Sequence, residues 1–197
     1  MELLNSITNR RTHFAIDKKS TVDDATLIQD IESIVKHSPS PFNTQHQSVY
    51  VALGEYHDKV WDIVIDTIKS STKPERYETL KAKIEGFKAG YGTILFFDNV
   101  LHIEDLQQRF PKVKDRFEMW MYQAQGMTQI NVWNLISSYG MVASLQHYNP
   151  KIDEAIKALF NIPSFMTLQA QMPFGTQKGP LKPKDYRPIE DRFKVFK

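Results

Sequence analysis

The run Tyr91-Gly92-Thr93-Ile94-Leu95-Phe96-Phe97-Asp98 decides how this chain folds. A strand points successive side chains to opposite faces, so a segment that is apolar or β-branched at every position from Thr93 to Phe97 has to be covered on both sides. It reads as a central strand, and a central strand demands layers above and below it. Immediately upstream, Pro74 suits the first position of a helix that carries Tyr77, Leu80, Ile84 and Phe87 and ends near Gly90. Further back, Val60, Trp61, Val64, Ile65 and Ile68 form a helical stripe within Glu55 to Ser70. Ser48 to Leu53 alternates as a strand with Val49, Val51 and Leu53 on one face. Ser20-Thr21-Val22-Asp23-Asp24 reads as a helix start, a hydroxyl cap followed by acids at the positive end of the dipole. Leu27, Ile28, Ile31, Ile34 and Val35 continue that helix.

Downstream, Asn99 to Phe110 reads as a short helix stopped by Pro111. Phe117 to Tyr122 is an aromatic segment suited to covering a pocket. From Gly126 to about Leu145 apolar residues occur on nearly every side, which predicts a helix buried in the core or at a subunit interface, with Met127, Trp133 and Met141 in the core. Asp153 to Phe160 is a last helix, and Phe165 to Met172 a last strand ended by Pro173-Phe174-Gly175. Strands separated by helices around a buried helix predict an α+β or α/β layered fold, with more helix than strand.

The 197 residues suffice for one domain with a proper core, and 25 basic against 23 acidic residues leave a net charge of only +2. That balance points away from nucleic acid and from membrane surfaces. The absence of cysteine excludes disulfides, thiolate metal sites and a cysteine nucleophile. The start at Met1-Glu2-Leu3-Leu4 lacks the pattern of a leader peptide, and no run nears the roughly 20 apolar residues of a membrane span. A soluble cytoplasmic protein is expected. Gln177 to Lys197 carries Pro180, Pro183 and Pro188 and an excess of Lys and Arg. It is expected to run, without regular structure, over the surface or over a second subunit.

No glycine-rich dinucleotide fingerprint, phosphate loop, nucleophile elbow or metal-binding histidine pair is present. What remains is a set of separated polar segments. Ser38-Pro39-Ser40-Pro41-Phe42-Asn43-Thr44-Gln45-His46-Gln47 is a stiff polar loop, because each Pro fixes its own φ and restrains its predecessor. Ser, Asn and Thr can fold their side chains back on such a loop, which suits a flat heteroaromatic ring with donors and acceptors on its edge. Arg10-Arg11 offers guanidinium forks for a phosphate or a carbonyl edge.

Asn9-Arg10-Arg11-Thr12, the loop from Ser38 to Gln45, Leu145-Gln146-His147-Tyr148-Asn149-Pro150, Pro173-Phe174-Gly175 and Pro183-Lys184-Asp185-Tyr186-Arg187-Pro188 together resemble the FMN-dependent nitroreductase family. The likeness is to its branch similar to the fungal fatty-acid-repression and bacterial copper-induced nitroreductases. It implies an α+β fold of three layers, with a central, mostly antiparallel sheet flanked by helices, forming a dimer. It implies one FMN-binding domain over 1–197, with 176–197 an extended basic tail. FMN at the interface of a homodimer would take hydride from NADH or NADPH and pass it to nitroaromatics, quinones or related small acceptors by a ping-pong route. The same fold running another flavin reaction, or a flavin-binding stress or regulatory protein with negligible turnover, is the alternative.

Carried over position by position, the resemblance assigns Arg10, Arg11 and Thr12 to the FMN phosphate, ribityl chain and pyrimidine edge. Pro39, Ser40, Asn43 and Gln45 match the loop that holds the ring, partly from the second subunit. Gln146 and His147 match the turn whose backbone faces flavin N5. Thr12 stands where the family pattern has Ser, and Phe14 stands where it has a basic residue, so Lys184 and Arg187 of the tail would supply more of the phosphate's counter-charge. A fixed guanidinium beside N1 and O2 would stabilise the negative charge of reduced flavin. No catalytic side chain beyond these cofactor contacts is expected, because the cofactor carries the difficult step.

Overall fold

The computed structural model describes residues 2–197; Met1, where the leader reading and the single-domain reading both begin, lies outside them. The apolar run at Thr93–Phe97 lies in β3 (Gly92–Asn99), buried along nearly its whole length and paired on both edges. Its neighbours are β2 (Gln47–Leu53) and β5 (Met166–Gln177), both antiparallel. β1 (Ile16–Asp17) and β4 (Val142–Ala143) each pair with β5, also antiparallel. The order is therefore β1-β5-β3-β2 with β4 beside β5, and β2 is an edge strand.

Alternation along β3 separates two cores. Leu95 and Phe97 pack with Tyr50, Ala52 and Leu168 against Trp61 and Val64 of α3 (Glu55–Ser71), Ile84 and Phe87 of α4 (Pro74–Lys88) and Ile156 of α7 (Asp153–Phe160). Ile94 and Phe96 pack with Ala170, Met172 and Phe174 on the other face. There they meet Leu27 and Ile31 of α2 (Asp24–His37) and Val132, Trp133 and Ile136 of α6 (Phe117–Ser138). This is an α+β fold of three layers, α-β-α. Truncating Phe96 or Phe97, both fully buried, would cost about 3–5 kcal/mol each. Phe96 faces Ala170 but Phe97 faces Leu168, so Gln169 is the extra residue of a bulge. A smaller cluster of Ile103, Leu106, Phe117 and Met121 ties α5 (Val100–Arg109) to the start of α6.

Several sequence expectations are corrected. The cap of α2 is Asp23, which accepts from the Thr26 amide at 2.9 Å; Ser20 turns its hydroxyl to the Val22 carbonyl instead. The aromatic segment from Phe117 to Tyr122 is the opening of α6, which ends at Ser138, and Val142–Ala143 beyond it is strand β4. Met127 is 40% exposed rather than core, whereas Trp133 and Met141 are buried as expected. β5 continues through Pro173 to Gln177. The Pro173 carbonyl accepts from the Ser144 amide at 3.2 Å. Its missing N–H points to that same side, so the ladder to β3 loses nothing. The opening residues also form a helix, α1 (Glu2–Asn9), fastened to α6 by the Ser6 hydroxyl on the Asn134 carbonyl at 2.5 Å. Residues 178–197 are exposed, with one 3₁₀ turn at Ile189–Asp191.

Candidate functional site

Leaving α1, the chain passes alongside β4. Thr12 bridges to Ala143, and the His13 amide donates to the Ala143 carbonyl at 3.1 Å. This holds Arg10 with its guanidinium carbon 4.4 Å over the Trp133 ring of α6. Arg11 Nη2 donates to the Lys182 carbonyl at 2.8 Å, and His13 Nε2 bonds the Lys178 carbonyl at 3.0 Å. Two neighbouring residues thus pin the start of the tail.

Gln146 follows β4 by three residues and is buried. Its backbone exchanges hydrogen bonds with Gln171 at 2.7 and 2.9 Å. The side-chain amide donates to Ser144 Oγ at 2.8 Å and accepts from Lys83 Nζ at 3.2 Å. His147, next along, is exposed. Lys83 also lies 5.1 Å over the Phe14 ring, so a cation from α4 stands beside the position where the sequence lacks one. Sequence reasoning missed Lys83: an exposed Lys in a helix carries no local signal.

The polar loop is rigid by its own bonds. Ser40 Oγ accepts from the Gln45 amide at 2.9 Å, and the Ser40 carbonyl from the Asn43 amide at 3.0 Å. Phe42, Asn43 and Gln45 have φ of 53°, 54° and 51°. Asn tolerates that left-handed region, but Phe and Gln are strained there. Phe42 stacks on Phe110 at 4.7 Å. Pro39, Ser40 and Phe42 line a cavity of about 320 Å³ together with Trp120 and Met127 of α6.

Behind the loop lies a buried polar cluster that the sequence did not disclose. His46 Nδ1 accepts from the Thr44 hydroxyl at 3.0 Å and Nε2 donates to the Met121 carbonyl at 3.3 Å, the tautomer these partners require. Asp98 Oδ1 accepts from Gln125 Nε2 at 2.8 Å and lies 3.7 Å from His46 Nε2. Asp98 Oδ2 and Gln125 Oε1 are buried without a protein partner. Burial pushes the Asp98 carboxyl up to about 8 against the opposing Gln125 bond, and burial lowers the His46 imidazole.

Within one chain, then, the expected site residues fall into three groups. Arg10, Arg11 and Thr12 come together with Gln146 and His147 around β4. Pro39, Ser40, Asn43 and Gln45 sit at the other end of α6. From Trp120 to Trp133 that helix covers about 20 Å. Lys184 and Arg187 lie out on the tail, Lys184 with its ammonium 5.0 Å over the Tyr186 ring. Among the described residues no His, Asp and Glu cluster could hold a metal ion, and no helix is long and apolar enough to cross a membrane.

The chain and its fold are similar to known proteins. The nitroreductase family model matches residues 7–176. The Saccharomyces cerevisiae protein HBN1 is 34% identical, over 98% of this chain and 96% of its own length, and the yeast nitroreductase FRM2 is 29% identical over 87% and 86%. Nitroreductase CinD from Lactococcus lactis in complex with chloramphenicol is 36% identical, with a TM-score of 0.89 over 98% of this chain and 99% of that one. CinD has also been solved with nicotinic acid and with 4-nitrophenol.

Proposed function

This chain belongs to the nitroreductase family and is an oxidoreductase of that type, and on that premise we propose that it works as a homodimeric FMN flavoprotein. NADH or NADPH is the electron donor. Nitroaromatics, quinones or related small molecules are the acceptors, reduced in a ping-pong cycle by a single domain over 1–197 in the cytoplasm.

The observation that carries the dimeric reading is the split site. Arg10–Thr12 and Gln146 lie at one end of α6 and the Pro39–Gln45 loop at the other, with an uncovered apolar stripe of Met119, Tyr122, Met127 and Ile130 between. Two α6 helices packed antiparallel across that stripe bring the loop of one copy to the arginines of the other, twice, by symmetry. Edge strand β2 is open on its outer side, and Phe193 and Val195 of the exposed tail alternate with Lys194 as a strand would. A second copy offers both of them a partner.

The residues present fit FMN. The two guanidiniums of Arg10 and Arg11, the Thr12 hydroxyl and Lys83 form a cationic donor set matched to a phosphate and to the electron-rich pyrimidine edge. Lys184 and Arg187 of the exposed tail, whose start Arg11 holds at Lys182, would add counter-charge to such a phosphate from this chain or from the second copy. Ser40, Asn43 and Gln45 present short polar groups on a rigid loop to the ring edge, and the Gln146–His147 turn offers its backbone to the ring. When bound, FMN supplies the hydride chemistry; Phe42 and Trp120 supply flat apolar walls for an aromatic acceptor. Consistent with this, CinD binds ring compounds, two of them nitroaromatic.

Steady-state oxidation of NADH and NADPH with 4-nitroquinoline oxide or menadione tests the reading. Acceptor-dependent turnover is expected; oxidation no faster than the acceptor-free blank contradicts an enzymatic role.

A further inference from the structure

Buried, half-satisfied polar groups are costly, and each calls for an explanation. Asp98 is the penultimate residue of β3 and fully buried, with Gln125 Nε2 the one hydrogen-bond donor to its carboxyl and Oδ2 left unpartnered among the described residues. The groups facing it are few. On the β2 side stands His46, which follows the loop directly and whose carbonyl accepts from the Asn99 amide at 2.9 Å. On α6 stand Gln125 and, near enough to feel the charge, Tyr122. On α5 His102 lies close enough to His46 to disfavour its protonation. On β5 the opposite residue is Thr167, which carries no charge. Among the described residues no Lys or Arg is paired with Asp98.

From this geometry we infer that Asp98 is a positioning residue for the Ser40–Gln45 loop, acting through His46 and Thr44, and that it does so only while it carries a proton. The path is short. Thr44 lies between Asn43 and Gln45, two of the ring-facing residues, and its hydroxyl is held by His46 Nδ1. His46 Nε2 is 3.7 Å from Asp98 Oδ1. A protonated Asp98 leaves His46 neutral, with Nδ1 free to accept from Thr44. An ionised Asp98 has one amide donor and no counter-charge in a dry site. His46, its protonation disfavoured by burial and by His102, stays neutral as pH rises, so relief comes from opening the loop to water, which breaks the Thr44–His46 bond. That change disturbs a segment already strained at Phe42, Asn43 and Gln45.

The sign follows from linkage. Burial raises the folded Asp98 from 3.8 to about 8, so between those values the native protein holds a proton that the unfolded chain has released. The contribution to stability is full below the unfolded value, falls as pH rises, and is gone above the folded one.

The flavin consequence rests on the function proposed above, but the loop does not, so the test reads both. Amide-exchange protection factors of Asn43 and Gln45, corrected for the intrinsic rate, are measured on the full chain without added flavin from pH 6.5 to 9. FMN and riboflavin affinities are titrated over the same range, riboflavin removing the phosphate's own ionisation. Protection is expected to fall about tenfold through pH 8 in the wild type. In Asp98→Asn, which is neutral at every pH, it should stay flat. Thr44→Val should abolish the loop's step while urea unfolding keeps the wild-type pH slope. Where flavin binds, its affinity should follow the loop. A loop step that obeys these variants without any FMN binding upholds Asp98 and defeats the flavin reading. A wild type without a step, or a step that survives in Asp98→Asn or in Thr44→Val, overturns the inference.

Discussion

Arg11 Nη2 donates to the Lys182 carbonyl at 2.8 Å, so removing its guanidinium frees the start of the tail as well as deleting a cation. A charge-assisted hydrogen bond contributes roughly 1.5–3 kcal/mol. On the flavin reading, Arg11→Ala should weaken FMN binding about 10- to 100-fold with little change in Tm, since the side chain is half-exposed; Arg11→Lys should recover only part of it. Isothermal titration of both variants checks this, and unchanged FMN affinity in Arg11→Ala removes the residue from the site. At this scale the sequence disclosed the residues whose chemistry is local: paired arginines, a proline-stiffened polar loop. It could not disclose Lys83 or Asp98. Lys83 matters because α4 carries it over Phe14 and onto Gln146. Asp98 matters because β3 buries it under a loop far away in sequence.

Strand β3 and helices α3, α4 and α7 could be read from sequence because each carries its own periodicity, or, for β3, an unbroken apolar run. β1 and β4 are two residues each and have no period to read. They exist because β5 is long enough to pair with both, a tertiary fact. α6 was read too late at its start and too far at its end for a related reason. Apolar on all sides, it has no polar face to mark its limits, and its aromatic first turns resemble a pocket cover. The same lack of contrast put Met127 in the core, whereas it belongs to the uncovered stripe. If that stripe is the dimer face, Met127→Glu places two carboxylates near the two-fold axis at no cost to the monomer's core. Sedimentation equilibrium should then show at least a tenfold rise in the dimer dissociation constant, with Tm at low protein concentration unchanged. A variant as dimeric as the wild type would show that α6 does not form the interface.

In the whole molecule, the three layers act as a spacer that keeps the two halves of the candidate site apart. α6 runs from the loop end to the arginine end, and nothing inside one chain closes that gap. On the reading proposed above, a symmetric dimer with the cofactor between its copies would complete the site, cover the α6 stripe and give edge strand β2 and the exposed tail a partner. Folding, assembly and cofactor uptake are then linked by mass action, so added FMN should tighten the dimer and dilution should release FMN. The most direct test is to purify the protein without added flavin, incubate it with FMN, remove the excess, and titrate it with NADH and then NADPH in the absence of air. The account predicts a yellow protein binding one FMN per chain, whose oxidised-flavin absorbance is bleached stoichiometrically by at least one of the two nucleotides. A colourless protein that retains no FMN would contradict it.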